Sequence, residues 1–258
     1  AEALTTILRS AEPVRLVVAG RTDAGVHTRG QVAHADVEEE VWDAVRGRSA
    51  RTAEEAAASR LRGILPPDIG IRNVTRAPDG FDARFSALRR RYLYRVCDDA
   101  ARMDPLRRHD TVLVRGPLDV EGMDRAAGSL LGLHDFAAFC RRREGATTVR
   151  TLLDYRWERG ADGVIAGTVV ADAFCHSMVR ALVGAVVPVG EGRLDVGVPA
   201  AVLAGGVRDP RVRVMPAHGL SLEEVVYPAD ADLASRADMA RSRRELPAEQ
   251  LEGAPDAH

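Results

Sequence analysis

A largely apolar run, residues 14–19, stops at Gly20 and is followed by Arg21-Thr22-Asp23-Ala24-Gly25-Val26-His27 and then by Gly30-Gln31-Val32-Ala33-His34. Such a run reads as a buried strand. The turn that leaves it carries an arginine, a threonine, an aspartate and a second glycine. Glycine lets a backbone turn tightly and approach a ligand closely. A loop held at the end of a rigid strand is a common place for chemistry. The segment therefore constrains the fold to one that seats this loop at a sheet end.

Gly20 and Gly25 bracket four residues, as in a phosphate-binding loop, but Val26-His27 stands where a Lys-Ser/Thr pair is required, so that reading fails. An isolated aspartate before Ala-Gly is ordinarily a turn residue that bonds its own backbone. His27 and His34 are seven apart, outside the close spacings of most zinc motifs, and no cysteine joins them. No metal site is expected. A Gly-rich nucleotide loop and a cofactor lysine are absent from the sequence as well, so no cofactor is expected.

At 258 residues the chain allows one large domain or two small ones, and 46% apolar residues are enough for a sizeable core. No apolar run approaches the length of a membrane span, and the first residues lack a basic-then-apolar leader pattern. The expectation is a soluble, cytoplasmic protein without a membrane partner. Cys97, Cys140 and Cys175 are odd in number, far apart and in no Cys-x-x-Cys. They read as buried thiols of a reducing compartment rather than as a disulfide framework.

Net charge is −2, which alone says nothing about nucleic acid, and all 36 basic residues are arginines. The distribution says more. Between Arg84 and Arg115 nine arginines face four aspartates (9 − 4 = +5), whereas from Ala229 onward four arginines face seven acids (4 − 7 = −3). Arginine's planar fork suits phosphate, although a solvated charged face is the equally plain account of any single cluster. Arg141-Arg142-Arg143 and Arg150 flank a Gly/Thr-rich loop and read equally as phosphate contacts or as a charged loop.

The remaining pattern mixes strands and helices without strict βαβ alternation, which is α+β. A helix is expected over residues 3–9. Thr52-Ala53-Glu54-Glu55 is a capping box opening a helix toward Gly63. Strands are expected over residues 92–96, 111–114, 164–170 and 222–226. Asp119 caps a helix with Val120, Met123, Ala127, Leu130 and Leu131 on one face, ended by Gly132. A mostly apolar helix covers residues 174–187 before Pro188, and a short one follows Pro199. From Ala229 to His258 the composition reads as a mobile tail.

Taken together, the loop string closely resembles the active-site signature of the tRNA pseudouridine synthase A family. Three further runs resemble that family's later blocks: Phe81-Asp82-Ala83-Arg84-Phe85-Ser86-Ala87 leading into Arg89-Arg90-Arg91-Tyr92-Leu93-Tyr94; Ala173-Phe174-Cys175-His176 leading into Met178-Val179-Arg180 with Val183-Gly184; and Ala217-His218-Gly219-Leu220 with Val225-Val226-Tyr227-Pro228. The resemblance runs in order from about Ala3 to Pro228. It implies two similar α/β halves, residues 1–88 and 89–228, with antiparallel sheets joined into one larger mixed sheet and an active-site cleft between them, the pseudouridine synthase fold. The family opens with a strand carrying Tyr-Asp-Gly and Gly-Trp-Gln runs before the helix that starts this chain. The first half is therefore expected to lack one strand, leaving an unpaired edge.

The resemblance also implies the chemistry. Asp23 would be the catalytic carboxylate, acting as nucleophile toward sugar or base, or as base in a glycal route. Arg180 would be its cation. It lies among Met178, Val179, Ala181, Leu182 and Val183, so a buried guanidinium there needs a partner, and a cation favours the ionised form of a carboxylate beside it. Tyr92 would pack against the target base, and Arg21 would fill the place that the extruded uridine leaves. His176 reads as structural. The implied function is isomerisation of uridine to pseudouridine on the 3′ side of the tRNA anticodon stem-loop by a homodimer, without a small-molecule cofactor. The alternative is a non-catalytic RNA-binding protein, a truncated or relic member of the family. An aspartate-dependent glycosidic hydrolase ranks last, because no second carboxylate accompanies Asp23.

Overall fold

The computed structural model describes residues 1–141 and 147–241. In chain order the regular elements are α1 (Glu2–Leu8), β1 (Val17–Val18), β2 (His27–Thr28), β3 (Ala33–His34), α2 (Glu39–Ala44), α3 (Ala53–Ile64), β4 (Arg89–Cys97), β5 (Val112–Leu113), α4 (Val120–Gly128), β6 (Gly132–Asp135), β7 (Val149–Arg159), β8 (Ile165–Ala171), α5 (Met178–Gly190), α6 (Val198–Gly205), β9 (Leu220–Val226) and α7 (Leu233–Arg241).

Among the described residues seven strands form one mixed sheet in the order β2-β9-β4-β8-β7-β6, with β5 joining the far end of β4. The pairs β9-β4, β4-β8, β8-β7 and β7-β6 are antiparallel, while β2-β9 and β4-β5 are parallel. The expected α+β class with a large mixed sheet is what the chain adopts. β2, from the loop that carries Asp23, pairs with β9 through His27↔Ser221 and Thr28↔Leu222, so the early loop is stitched to the last strand. On β4 the even positions Arg90, Tyr92, Tyr94 and Val96 are buried and share one face. The register between β4 and β9 shifts beside Tyr92, where Glu223 is the extra residue. A bulge of this kind re-aims side chains near a site.

The core lies between this sheet and helices α4, α5 and α6. Met123, Leu130, Phe136, Leu182, Ile165 and Leu222 are fully buried in it. Twelve of the 13 residues of α5 are buried, Arg180 being the exception, which makes α5 a central helix rather than a surface one. α1, α2 and α3 enclose a smaller cluster around Ile7, Leu8 and Ala57. Thr52 and Glu55 make both bonds of the capping box at the start of α3.

Several expectations need adjusting. Of the buried strand expected over residues 14–19, only Val17–Val18 is strand, and Ala19 alone is buried. It pairs only with β3, in a separate two-stranded sheet. α4 ends at Gly128, which leaves Leu131 40% exposed rather than on the buried face. α5 starts at Met178 and runs through Pro188. A proline in the last turn removes only one ladder bond, and residues 174–177 are released from the helix to build the site. The segment after Ala229 is not all tail: α7 buries Leu233 and Ala237, and residues 242–258 lie outside the described residues. Cys140 and Cys175, expected as separate thiols, are paired as a disulfide with Cα atoms 5.7 Å apart, and Cys97 is the free cysteine among the described residues.

Candidate active site

The loop after β1 is closed at its base by one side chain. The Gln31 amide nitrogen donates to the Gly20 carbonyl (2.8 Å), and the Gly20 N–H donates to Gln31 Oε1 (3.3 Å). The Ala19 N–H donates to the Val32 carbonyl at 2.8 Å in the same place. At the tip, Gly25 has φ 83°, and the Val26 N–H turns back to the Asp23 carbonyl at 3.1 Å. Gly30 is held against β9, where an added Cβ would stand 2.3 Å from the Glu223 carbonyl oxygen. These contacts fix the loop between two sheet strands and set Asp23 opposite the start of α5.

Arg180 meets it there. Its Nη1 donates to Asp23 Oδ2 at 2.8 Å, and its Nε donates to the Met215 carbonyl at 2.6 Å. The Met215 N–H returns a bond to the Arg180 carbonyl at 3.1 Å, so Met215 ties down both the backbone and the side chain of Arg180. The two side chains of the ion pair are 19% and 23% exposed. That leaves the pair desolvated enough to matter and open enough to be reached. His176 places Nε2 3.3 Å from Asp23 Oδ1, and Ser177 Oγ donates to Asp23 Oδ2 at 3.2 Å. Arg21 is exposed and is not among the ion-pair partners of Asp23.

Beside the carboxylate stands an aromatic wall. The rings of Tyr92 and Phe174 meet edge to face with centroids 5.1 Å apart. Tyr92 is 7% exposed, and burial pushes its phenol up to about 12, so near neutral pH it is an uncharged surface and not a base. Two residues earlier on the same face, buried Arg90 donates to three carbonyls: Asp172 (2.7 Å), Ala19 (3.0 Å) and Arg84 (2.5 Å). One guanidinium thus joins the strand before the Asp23 loop, the segment before β4 and the segment after β8. Burial lowers its pKa from the ordinary guanidinium value, and the three acceptors offset the cost of enclosing it.

These groups line a single cavity of about 450 Å³ that contains Asp23, Arg180, Tyr92 and Arg21 together. Arg84, Arg141 and Arg150 also line it, giving a predominantly basic enclosure around the half-buried Asp23. Asp172 is the other carboxylate of the lining, and its Oδ1 is engaged by the N–H groups of Thr151 and Ala173 at 3.2 and 2.6 Å. Among the described residues no group of three or more His, Cys, Asp or Glu is arranged to hold a metal ion, and no helix is long and apolar enough to cross a membrane.

A family model described as tRNA pseudouridine synthase matches residues 126–228. The chain is 54% identical to the tRNA pseudouridine synthase A of Leifsonia xyli subsp. xyli, over 95% of this chain and 88% of that protein. It is 55% identical to the enzyme of the same name from Streptomyces griseus subsp. griseus, over 95% and 84% of the two chains. The chain belongs to the tRNA pseudouridine synthase A family. The likeness to the relative of that name from Corynebacterium glutamicum is 48% over 95% of this chain and 84% of the relative.

All four residues selected from the family's motifs, Asp23, Arg180, Tyr92 and Arg21, fall in the one cavity although they come from distant parts of the chain. Two residues that touch Asp23 were not selected. From the sequence alone His176 reads as structural, and Ser177 carries no motif of its own. The available signal was their position, three and four residues before Arg180 and just ahead of an apolar helix. Arg142 and Arg143 lie outside the described residues, so only Arg141 and Arg150 of that cluster are placed.

Proposed function

We propose that the chain isomerises uridine to pseudouridine in tRNA, on the 3′ side of the anticodon stem-loop, with Asp23 as the catalytic residue. The observation that carries this reading is the Asp23–Arg180 pair set beside the Tyr92–Phe174 wall in a basic cavity. A cavity of about 450 Å³ suits one extruded nucleotide and not a duplex. The target uridine leaves its stack to reach such a site. Tyr92 offers it a flat apolar face, and base-on-aromatic contact is worth ~1–3 kcal/mol. Arg180 keeps the carboxylate oriented and paired until the uridine arrives. Exposed Arg21, at the rim of the same cavity, is placed to enter the space that the base vacates.

The reaction breaks the bond between C1′ and N1, turns the base, and joins C1′ to C5. The proton on C5 is then lost and N1 regains one, so atoms and charge balance without a redox partner. The carboxylate acts on sugar or base as nucleophile, or removes a ribose proton in a glycal route, and all three routes need an ionised Asp23. The family resemblance supports work as a homodimer in the cytoplasm, where tRNA is found.

The test is release of tritium from tRNA labelled at uridine C5. The protein should release it, and Asp23→Asn should lower the rate by ~10³-fold or more while keeping tRNA affinity within about threefold. Turnover by Asp23→Asn at the wild-type rate would remove Asp23 from the chemistry. Salt-dependent tRNA binding without any release from the unaltered protein would identify an RNA-binding protein instead.

A further inference from the structure

Ser177 sits where a helix N-cap belongs and does not behave as one. An N-cap serine normally has extended backbone angles and turns its hydroxyl to the first free N–H groups of the helix. Ser177 has φ 63° and ψ 8°, in the left-handed region, and makes no side-chain cap bond. Among the described residues the only other non-glycine with positive φ is Arg9, at the C-cap of α1, where that conformation is ordinary. At the start of a helix it is a strained conformation for serine, and such strain persists only where surrounding contacts hold it.

What the strain achieves is visible in the contacts. The Ser177 hydroxyl is directed to Asp23 Oδ2 at 3.2 Å and stands 3.1 Å from His176 Nδ1. The opposite ring nitrogen of His176 is 3.3 Å from Asp23 Oδ1. Arg180, one turn into α5, takes Oδ2 at 2.8 Å. Both carboxylate oxygens are therefore held by three side chains from a stretch of five residues. The backbone of that stretch is tied down as well, by the Arg141 N–H donating to the His176 carbonyl at 3.1 Å. An arginine alone would leave the carboxylate free to rotate about its Cβ–Cγ bond. A second donor on Oδ2 and a contact on Oδ1 remove that freedom.

We propose that Ser177 and His176 are positioning residues for the reaction: they fix the rotation of the Asp23 carboxylate, and the left-handed backbone at Ser177 is the device that brings the hydroxyl to it. The inference rests on Asp23 being the catalytic residue. A positioning role predicts a loss in turnover and not in binding, because tRNA touches a far larger surface than this one carboxylate. It also separates stability from rate. Glycine accepts positive φ without strain, so Ser177→Gly relieves the backbone while deleting the hydroxyl.

The experiment measures kcat and KM for tritium release, with thermal melting, on Ser177→Gly, Ser177→Ala, His176→Gln, His176→Leu and Asp23→Ala. Ser177→Gly is expected to melt at or above the wild-type temperature while kcat falls about tenfold at unchanged KM. Ser177→Ala should lose the same rate without the gain in melting temperature. His176→Gln, which keeps a donor near the ring Nε2 position, should stay within about threefold of wild type, and His176→Leu should fall about tenfold. Wild-type kcat in Ser177→Gly with Asp23→Ala inactive overturns the positioning role and leaves the carboxylate assignment standing. Activity in Asp23→Ala overturns both. A loss in Ser177→Gly that appears only in KM, or only together with a lower melting temperature, assigns the serine to structure and also overturns the proposal.

Discussion

Arg180 is the one residue of α5 that is not buried, and every neighbour on that helix is apolar or glycine. A guanidinium there has no solvent-facing row to join, so its partners are set by geometry: Asp23 Oδ2 at one nitrogen and the Met215 carbonyl at another. Replacing it by leucine removes the cation from Asp23, leaving that carboxylate only Ser177 and His176, and takes the guanidinium donor from the Met215 carbonyl. Each charge-assisted bond of this kind is worth ~1.5–3 kcal/mol. Arg180→Leu is therefore expected to lose ~2–4 kcal/mol of stability in denaturant titration and ~10²-fold in turnover. Arg180→Lys keeps the charge but not the fork, and should recover part of the stability with little of the rate. An Arg180→Leu protein as stable as wild type would mean that the pair contributes nothing to folding. The need for a partner was legible in the sequence, because an arginine in an apolar helix demands one, whereas Asp23 as that partner came from the family resemblance. The roles of His176 and Ser177 were not legible. No pattern announces that a serine before a helix takes a left-handed backbone, and an imidazole's direction depends on contacts made 150 residues away in the chain.

At the level of elements, the middle of α5 is held against the segment ahead of β9 with almost no clearance. A Cβ built on Gly184 would lie 1.6 Å from the Arg213 carbonyl oxygen, so glycine is what allows the helix to pass that backbone. Two residues further along that segment, Met215 supplies the carbonyl that holds Arg180. Gly184→Ala must push the segment away, and overpacking of this severity costs ~3 kcal/mol or more. It should also lower turnover at the same time, since Arg180 loses its anchor. The check is denaturant unfolding beside tritium release, and an unchanged melting curve would show that the segment yields freely. Long, regular elements such as β4, α3 and α4 could be read from periodicity and caps. The longest strand, β7 over Val149–Arg159, could not. Its buried residues Val149, Leu152, Tyr155 and Trp157 do not alternate, and the pairing with β8 slips between Leu152 and Asp154, where the buried face changes from Leu152 to Tyr155. One bulge destroys the period of two on which a sequence reading depends.

Across the whole molecule, the site is assembled from three stretches of chain by Arg90, while a second guanidinium closes the opposite end of the sheet. Arg159, at the end of β7, forks onto both oxygens of Asp98 at 2.9 and 2.8 Å, just beyond β4. Asp98 Oδ2 also accepts the Leu118 N–H at 2.9 Å, ahead of α4. The Arg159 bonds hold the Asp98 carboxyl down to about 2, well below its ordinary value of 3.8. A carboxylate whose value is lowered by folding contributes its stabilisation in full above the unfolded value, and loses it as pH falls through the folded one. The contribution of this corner is thus complete above about pH 4 and gone below about pH 2. Arg159 is 38% exposed, so solvent screening reduces the gain to ~1–2 kcal/mol. Asp98→Asn should be less stable than wild type by that amount at pH 7, with the difference shrinking between pH 4 and pH 2. Urea titrations at pH 7, 4 and 2.5 measure it. A gap that stays constant down to pH 2.5 would mean that Asp98 acts through the shape of its contacts with Leu118 and not through its charge, and the two ends of the sheet would then be held by different physics.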